Sequence, residues 1–570
     1  MDLKAQMGQL LAPEFTLAQL AEKLFQSEPD PDRVVMRQWI YGEEETCREL
    51  TRAQVNKRIK VVAGRLQQVA EPGTRVAILA GNSPEYVFGF LGALYAGMVP
   101  IPLYDPNEPG HADHLKAVFG DCEPSIVVTN RVSAAAVRKY FSGQRERPRV
   151  ISLDALPDSL ASSWTPVEGG AGDTAFLQYT SGSTLSPAGR EGSPRARRRT
   201  GAQIFQALQL QMPARIVSWL PMHHDMGIIL AVFVTILGLD FEMMTPRDFV
   251  QHPDRWVRRL TAGEQATYSA IPNFALELAA RHAKDADFSR VAGIIIGSEP
   301  VTETAVESFL RAFSVDRSVL RPSYGLAEAA LIVSTPQTEN RPVISHFNRA
   351  ELAAGRAVIE DKSDATVAYA SNGQCVPHQH LAIVDPETRA EVEDGVIGEI
   401  WVHGPNMASG YLNRPEETAA TFRNTLGYRQ QEGLPEDDFW MATGDLAAIV
   451  DGELYITGRL KDLIVIAGRN HYPQDIEGTV QAASSQVRPD SVAAFSVEGK
   501  DSESLVLLVE RADDAEPADD AEASEAIRTA VTAHHGITPD DIVWKAPGEI
   551  NRTSSGKIAR RVAKKNYVGI

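Results

Sequence analysis

Apolar residues fall in short continuous runs, separated by stretches of helical length, through the first four-fifths of the chain. Val76–Ala80 is such a run, and a helical stretch over Pro84–Tyr95 follows it. Ile216–Leu220, Phe241–Met244, Ala266–Ser269 and Gly293–Ile296 repeat the pattern, each ahead of a further helical candidate. A strand that is apolar along its whole length is buried on both faces, so the alternation predicts an α/β architecture with helices covering the sheets. Ala175–Tyr179 reads as one more buried strand and opens into a polar loop. The longest apolar run, Ile228–Leu239, is too short to span a bilayer and stops at Asp240, which predicts a buried helix. From about Lys461 the pattern changes, and the remainder is of a size to form one small domain. Within it, Arg511–Ala526 (RADDAEPADDAEASEA) reads as a solvated acidic loop. No internal repeat is visible.

The chain has 570 residues, 43% of them hydrophobic, which is ample for a large core and more than one domain. Lys and Arg number 56 against 75 Asp and Glu, a formal net charge of −19. Such a balance argues against nucleic acid and against stable insertion into, or adhesion to, anionic membranes. The three cysteines, Cys47, Cys122 and Cys375, have neither disulfide nor metal spacing, and with an N-terminus lacking an apolar signal core they point to the cytoplasm.

Candidate chemistry begins where Ala175–Tyr179 ends. Thr180, Ser181, Gly182, Ser183 and Thr184 follow one another, offering unobstructed backbone N–H groups and four hydroxyls to one polyanion. No Gly-Lys-Ser/Thr follows, so this is not a Walker loop, and a solvated turn fits the loop alone equally well. Four later segments carry matching chemistry. Ser323–Glu328 (SYGLAE) sets an aromatic ring, a glycine and a carboxylate side by side, and Ala442–Leu446 (ATGDL) puts Asp445 after a tight turn, where it can accept both hydroxyls of a ribose. Gly458–Glu477 couples Arg459 and Lys461 to a β-rich run and a helix start, and Asn551–Arg560 (NRTSSGKIAR) delivers Lys557 from a loop of small residues. Each has a plain structural alternative, from a core tyrosine to a solvated basic edge; the ordered set of five does not.

With Val217–Gly227 (VSWLPMHHDMG), Ile294–Val301 (IIIGSEPV), Arg321–Ala329 (RPSYGLAEA) and Gly468–Glu477 (GRNHYPQDIE), the chain resembles the adenylate-forming superfamily of acyl-CoA synthetases, luciferases and adenylation domains, and within it the fatty acyl-AMP ligases. The resemblance runs from about Phe15 to about Val568. It implies a large N-terminal domain, residues 1–460, of α/β subdomains plus a β-rich subdomain over about Asn372–Tyr455, followed by a small mobile α+β domain, residues 461–570, hinged at Lys461. It further implies that a fatty acid and ATP give acyl-AMP and pyrophosphate with Mg²⁺. The acyl group then passes to the phosphopantetheine thiol of an acyl carrier protein, supplied in trans, of a polyketide or peptide pathway.

Carried onto this sequence, the family pattern assigns Thr180–Thr184 to the phosphates, and Glu328 with Thr184 to Mg²⁺. Tyr324 stacks on adenine within Ser323, Gly325, Leu326 and Ala327, against a wall of Gly297, Ser298, Glu299 and Pro300. Asp445, Arg459 and Ile456 take the ribose side, Lys557 bridges the reacting carboxylate and α-phosphate, and His224 positions the acid. Trp219, His223 and Gly468 are assigned to the acyl and pantetheine path. Paired histidines with no third ligand nearby are no metal site.

Two stretches qualify the picture. Thr335–Ala370 resembles, in place and character, the insertion by which acyl-AMP ligases resist the CoA-using conformation, but also reads as a long surface loop. An acyl-CoA synthetase is therefore the alternative. Leu185 and Ala188 replace a common glycine and lysine, and Arg190–Thr200 (REGSPRARRRT) lacks apolar periodicity. That segment reads as an exposed basic loop, a carrier-docking patch or a slip of reading frame; damage there would leave a catalytically impaired adenylate-binding protein.

Overall fold

The computed structural model describes residues 16–108, 112–144, 147–167, 176–179, 189–192, 207–283, 286–338, 341–466, 468–498, 503–553 and 557–569. Strands β1 (Val34–Tyr41) and β2 (Glu45–Thr51) form an antiparallel hairpin. β3 (Arg75–Leu79), β4 (Val99–Leu103), β5 (Ile126–Thr129) and β6 (Arg149–Ser152) make a parallel sheet in the order β4-β3-β5-β6. β7 (Phe176–Tyr179) pairs antiparallel with β8 (Gly189–Gly192), which pairs in turn with Gly410–Tyr411. β9 (Ala214–Ser218), β10 (Asp240–Met243), β11 (Ala266–Ile271), β12 (Val291–Ile296) and β13 (Leu320–Pro322) join the first hairpin in a seven-stranded sheet, order β13-β12-β11-β9-β10-β1-β2. In it β1 lies parallel to β10, with Met36 opposite Phe241.

The apolar runs thus become parallel strands covered by helices, an α/β fold as expected. The stretch over Pro84–Tyr95 is a helix at those bounds. The run at Ile228–Leu239 is the buried helix Asp225–Leu237, closed by Gly238 at φ 68°, a left-handed position that suits glycine. Among the described residues no helix is long and apolar enough to cross a membrane.

The central sheet is braced by charge. Arg215 on β9 meets Glu242 on β10 at 2.8 Å, the two side chains 7% and 8% exposed, while Trp39 on β1 donates to the same carboxylate at 2.8 Å. One carboxylate therefore ties three neighbouring strands, its buried charge matched by a guanidinium.

Strands His380–Val384, Gly398–His403, Met441–Val450 and Glu453–Arg459 form an antiparallel sheet, where β-rich structure was expected. Beyond it, Val487–Glu498, Glu503–Arg511 and Asp541–Lys545 form a three-stranded sheet packed by helices Pro473–Ala483, Asp520–His535 and Arg560–Val568. Its core of Ile464, Ile476, Val480, Leu507 and Val509 also takes in Ile527 and Val531 from the middle helix. This corrects the reading of Arg511–Ala526 as a solvated loop. The second half of that stretch begins the helix Asp520–His535, with Ala523 buried and Arg511 paired to Asp520 at 2.5 Å.

The interval Thr335–Ala370 is likewise more than a surface loop. Ile344–Asn348 and Thr366–Ala370 pair antiparallel around a short helix, Arg349–Ala353, with Phe347 and Leu352 buried. Of the basic segment, Arg190–Gly192 have their backbone in β8; the rest lies outside the described residues.

Candidate active site

The carboxyl ends of β11, β12 and β13 converge, and at such ends an open α/β sheet presents its crevice. Gly297 leaves β12 with its N–H on the Ile271 carbonyl at 3.1 Å, and Ser323 leaves β13 with its N–H on that of Ile296 at 2.8 Å. Gly297–Pro300 and Ser323–Ala327 therefore lie side by side. Glu299 accepts the Phe274 N–H at 2.8 Å, and Ser323 exchanges a hydroxyl bond with Thr335 at 2.8 Å. Gly325 has no room for a side chain, since a Cβ would stand 1.6 Å from the Leu331 carbonyl oxygen. Leu326 and Ala327 then enter a short 3-10 turn that carries Glu328.

Tyr324 joins this crevice to the antiparallel sheet. Its hydroxyl donates to Asp445 Oδ2 at 2.6 Å, and burial, with the Asp445 charge next, holds its phenol far above the ordinary tyrosine range. Asp445 and Arg459 face one another across adjacent strands, the guanidinium Nε donating to Oδ1 at 3.1 Å. Ile456, half-buried, lies on the same strand as Arg459, opposite Ala447. Glu328 is 7% exposed and accepts the Tyr411 hydroxyl at 2.9 Å.

Lys557 arrives from the far end of the chain. A turn in which Thr553 donates to the Lys557 carbonyl at 2.7 Å sets the loop, and the ammonium faces Glu299, Asp445 and Asp225 with Arg459 beside it. The residue keeps solvent-exposed surface, yet crowding at the mouth of the cleft, and then Arg459, pull its ammonium below the ordinary lysine value against the three carboxylates. Burial conversely raises Glu299, which Lys557 opposes. The loop is anchored three residues on. Arg560 forks onto Glu477 at 2.6 and 2.5 Å and reaches Asp462 at 3.6 Å, beside exposed Lys461 in the turn Leu460–Asp462.

Between helix Asp225–Leu237 and strands β9, β11 and β12 lies a cavity of about 1040 Å³, its open mouth included. Asp225, Gly297, Ser298, Ser323, Tyr324 and Gly325 surround its polar end. Beyond them Met226, Leu230, Phe233, Val234 and Leu237 form a single helical stripe facing Ile216, Tyr268 and Ala270. A cleft polar at one end and apolar through its depth can take a polar head with a long hydrocarbon tail.

Other expected residues fall around this centre. His224 is the N-cap residue of the cavity helix, and His223 packs its ring 5.4 Å from Tyr104. Among the described residues no group of three His, Cys, Asp or Glu is placed to hold a metal. Trp219 stacks on Phe249 at 4.1 Å in the adjoining core, 3% exposed, and is not among the residues that line this cavity. Gly468 sits at φ 74° in the turn between Ile464–Ile466 and Arg469–His471, exposed and away from the cavity. Thr180–Thr184 lie outside the described residues, although β7 leads directly to them.

Sequence reasoning passed over Asp225, although it stood inside the HHDMG wording, and Tyr411, for which nothing in the sequence gives a signal. It also passed over the contacts of the 344–370 hairpin. Arg349 grips Asp475 in helix Pro473–Ala483 at 2.9 and 3.0 Å, and Tyr472, 4% exposed, packs with Phe347, Leu352 and Tyr455. His535 lies 3.7 Å from Asp475, but burial, aided by Arg349, His471 and His534 and opposed by Asp475, lowers it to about 4. It is neutral at pH 7, so Arg349 is the cation that matches Asp475. On its other side the hairpin is tied by Lys362 to Glu303 at 2.8 Å.

Known proteins similar to this chain fall in one family. The model of the AMP-binding enzymes matches residues 25–412, and that of the Disco-interacting protein 2-like AMP domain matches residues 461–569. The chain is 42% identical to the long-chain-fatty-acid–AMP ligase FadD32 of Mycolicibacterium smegmatis, covering 91% of this chain and 89% of that one. It is 36% identical to the long-chain-fatty-acid–AMP ligase FadD26 of Mycobacterium marinum, covering 91% of each. A solved structure from a study of fatty acyl-adenylate ligases of E. coli and L. pneumophila superposes with a TM-score of 0.83 at 28% identity, over 97% of this chain and 98% of that one.

Proposed function

The chain belongs to the AMP-binding, adenylate-forming enzymes as a fatty-acyl-AMP ligase, and from that premise we propose that it activates a fatty acid with ATP and passes the acyl group to an acyl carrier protein. The observation that carries this reading is the meeting point. Tyr324 lines the polar end of a cavity whose depth is apolar, Asp445 accepts its hydroxyl, and Lys557 faces Asp445 and Asp225.

A carboxylate oxygen attacks the α-phosphorus, the bond from that phosphorus to the bridging oxygen breaks, and pyrophosphate leaves. Both reactants are anions, so the work is to position them and to offset charge. Thr180–Thr184 cradle the outgoing phosphates, Tyr324 and Gly297–Pro300 hold adenine, Asp445 with Arg459 holds ribose, and Ile456 borders it. His224 orients the acid, and Lys557 spans the acid and the α-phosphate.

Glu328 fits Mg²⁺, because it is a buried carboxylate steadied by Tyr411 next to where phosphates would lie. Bound there with Thr184, the cation would neutralise phosphate oxygens. Tyr411→Phe is therefore expected to raise the Mg²⁺ concentration for half-maximal rate about tenfold. An unchanged Mg²⁺ titration would remove Tyr411 from that role.

In the second half-reaction the region beyond Lys461 turns, Lys557 withdraws, and Gly468 lines the way for a phosphopantetheine arm. The docked 344–370 hairpin supports carrier protein over free CoA as acceptor. The test of the reading is acid-dependent exchange of labelled pyrophosphate into ATP. Exchange supported by fatty acids is expected; none with any acid would overturn it.

A further inference from the structure

We infer that the cavity helix is a ruler, and that this chain selects straight-chain acids of about twelve to fourteen carbons, with Leu237 and Leu239 as the residues that set the limit. The inference rests on the acyl-AMP reading of the site and adds what that reading leaves open, the length of the tail.

The polar end fixes where the carboxylate stands. From there the lining residues Met226, Leu230, Phe233, Val234 and Leu237 descend one face of the helix. At about 1.5 Å rise per residue that stripe is about 17 Å long. An extended hydrocarbon advances about 1.25 Å per carbon, from a C–C bond of about 1.5 Å and a near-tetrahedral angle, so the stripe holds about thirteen carbons.

The floor is firm. Leu237 and Leu239 flank Gly238, where the helix ends, and Leu208 and Leu210 also line the cavity. Arg52, 2% exposed, donates to the Thr235 carbonyl and, at 2.8 Å, to that of Ile236. Arg33 donates to the Gly238 carbonyl at 2.6 Å and to Asp240 at 2.7 Å. Two guanidinium groups thus satisfy the last carbonyls of the helix and sit at the negative end of its dipole. On the opposite wall Arg321 holds the Leu208 carbonyl at 2.6 Å, and the Tyr268 hydroxyl accepts the Gln211 N–H at 2.7 Å. Opening this end for a longer tail would break charged hydrogen bonds that are buried at Arg52 and Arg321 and half-buried at Arg33, so the limit is set by side-chain volume at Leu237 and Leu239.

The experiment is pyrophosphate exchange with saturated acids from six to eighteen carbons, on the full chain and on three variants. For the parent, kcat/KM should rise about fourfold per carbon, the equivalent of about 0.8 kcal/mol per methylene, to a maximum near twelve to fourteen and then fall. Leu237→Ala and Leu239→Ala should move the maximum up by about two carbons, and Val234→Trp, which fills the stripe part-way, should move it below ten, each with KM for ATP unchanged. A maximum outside ten to sixteen carbons, or one that stays put in all three variants, would overturn the ruler while leaving the ligase reading intact. Absence of exchange with every acid would instead overturn the ligase reading, and the ruler with it.

Discussion

Lys557→Ala is expected to slow acyl-AMP formation by about 10²- to 10³-fold while largely sparing acyl transfer from supplied acyl-AMP. The magnitude is that of removing one positioned charge from a developing anionic centre. The selectivity follows from the anchoring of Lys557. Arg560 fastens its loop to Glu477 and Asp462, just past Lys461, so in the proposed turn of the region beyond Lys461 the lysine would travel with it and leave the site before a thiol attacks. Measuring the two half-reactions separately decides the matter: equal loss of both would mean that the lysine stays in place throughout. The parent carries a further signature. The ammonium, crowded at the mouth of the cleft and next by Arg459, and opposed by Glu299, Asp445 and Asp225, loses its proton at a lower pH than an ordinary lysine. Its charge is present below that folded-state pKa and is lost as pH rises through it. Adenylation should therefore fall on the alkaline side earlier than a free lysine would dictate.

Arg349→Ala is expected to raise acyl transfer to free CoA about 30-fold relative to adenylation. Asp475 is 9% exposed as a side chain and Arg349 17%, so the pair is mostly but not wholly desolvated. A fully buried pair broken on one side costs about 3–5 kcal/mol, and discounting for the exposed part leaves about 2 kcal/mol, roughly 30-fold in the docked-to-undocked equilibrium. The largest cause that lowers His535, its burial, is left in place by the substitution. Tyr472 remains packed on Leu352 and Phe347, so docking is loosened rather than abolished. Acyl-CoA yield at the parent level, in a variant that still makes acyl-AMP, would show that the hairpin does not govern the acceptor.

Strands β3, β9, β10, β11 and β12 were legible because a strand buried on both faces leaves an unbroken apolar run, as at Val76–Ala80 and Gly293–Ile296, whereas β1, β2, β4, β5, β6 and β13 were not read from the sequence. The helix Asp520–His535 was missed for a matching reason. Its buried residues Ala523, Ile527 and Val531 recur every four positions, but two of the three lie past Ala526, the end of the acidic stretch. The cavity helix was legible as buried and no further. Ile228, Ile229, Ala231 and Val232 fill its other faces, so no periodicity marks which stripe looks into empty space. Asp445, Tyr324 and Lys557 could be singled out only by motif, since their contacts join segments far apart in sequence. Arg349 and Asp475, with no motif to flag them, were beyond reach.

The place of β1 has a cost in chain entropy. Met36 lies beside Phe241, so the central sheet closes a loop of some two hundred residues. Fixing the ends of a flexible loop of that size costs on the order of 5 kcal/mol before any contact returns it. Arg33, next to β1 in sequence, reaches Gly238 and Asp240 through the same closure. The floor of the cavity is therefore not a property of the helix that lines it. It comes into being only when the early hairpin meets β10, and an excised segment spanning β9 to β13 would carry the walls of the cavity without its brace.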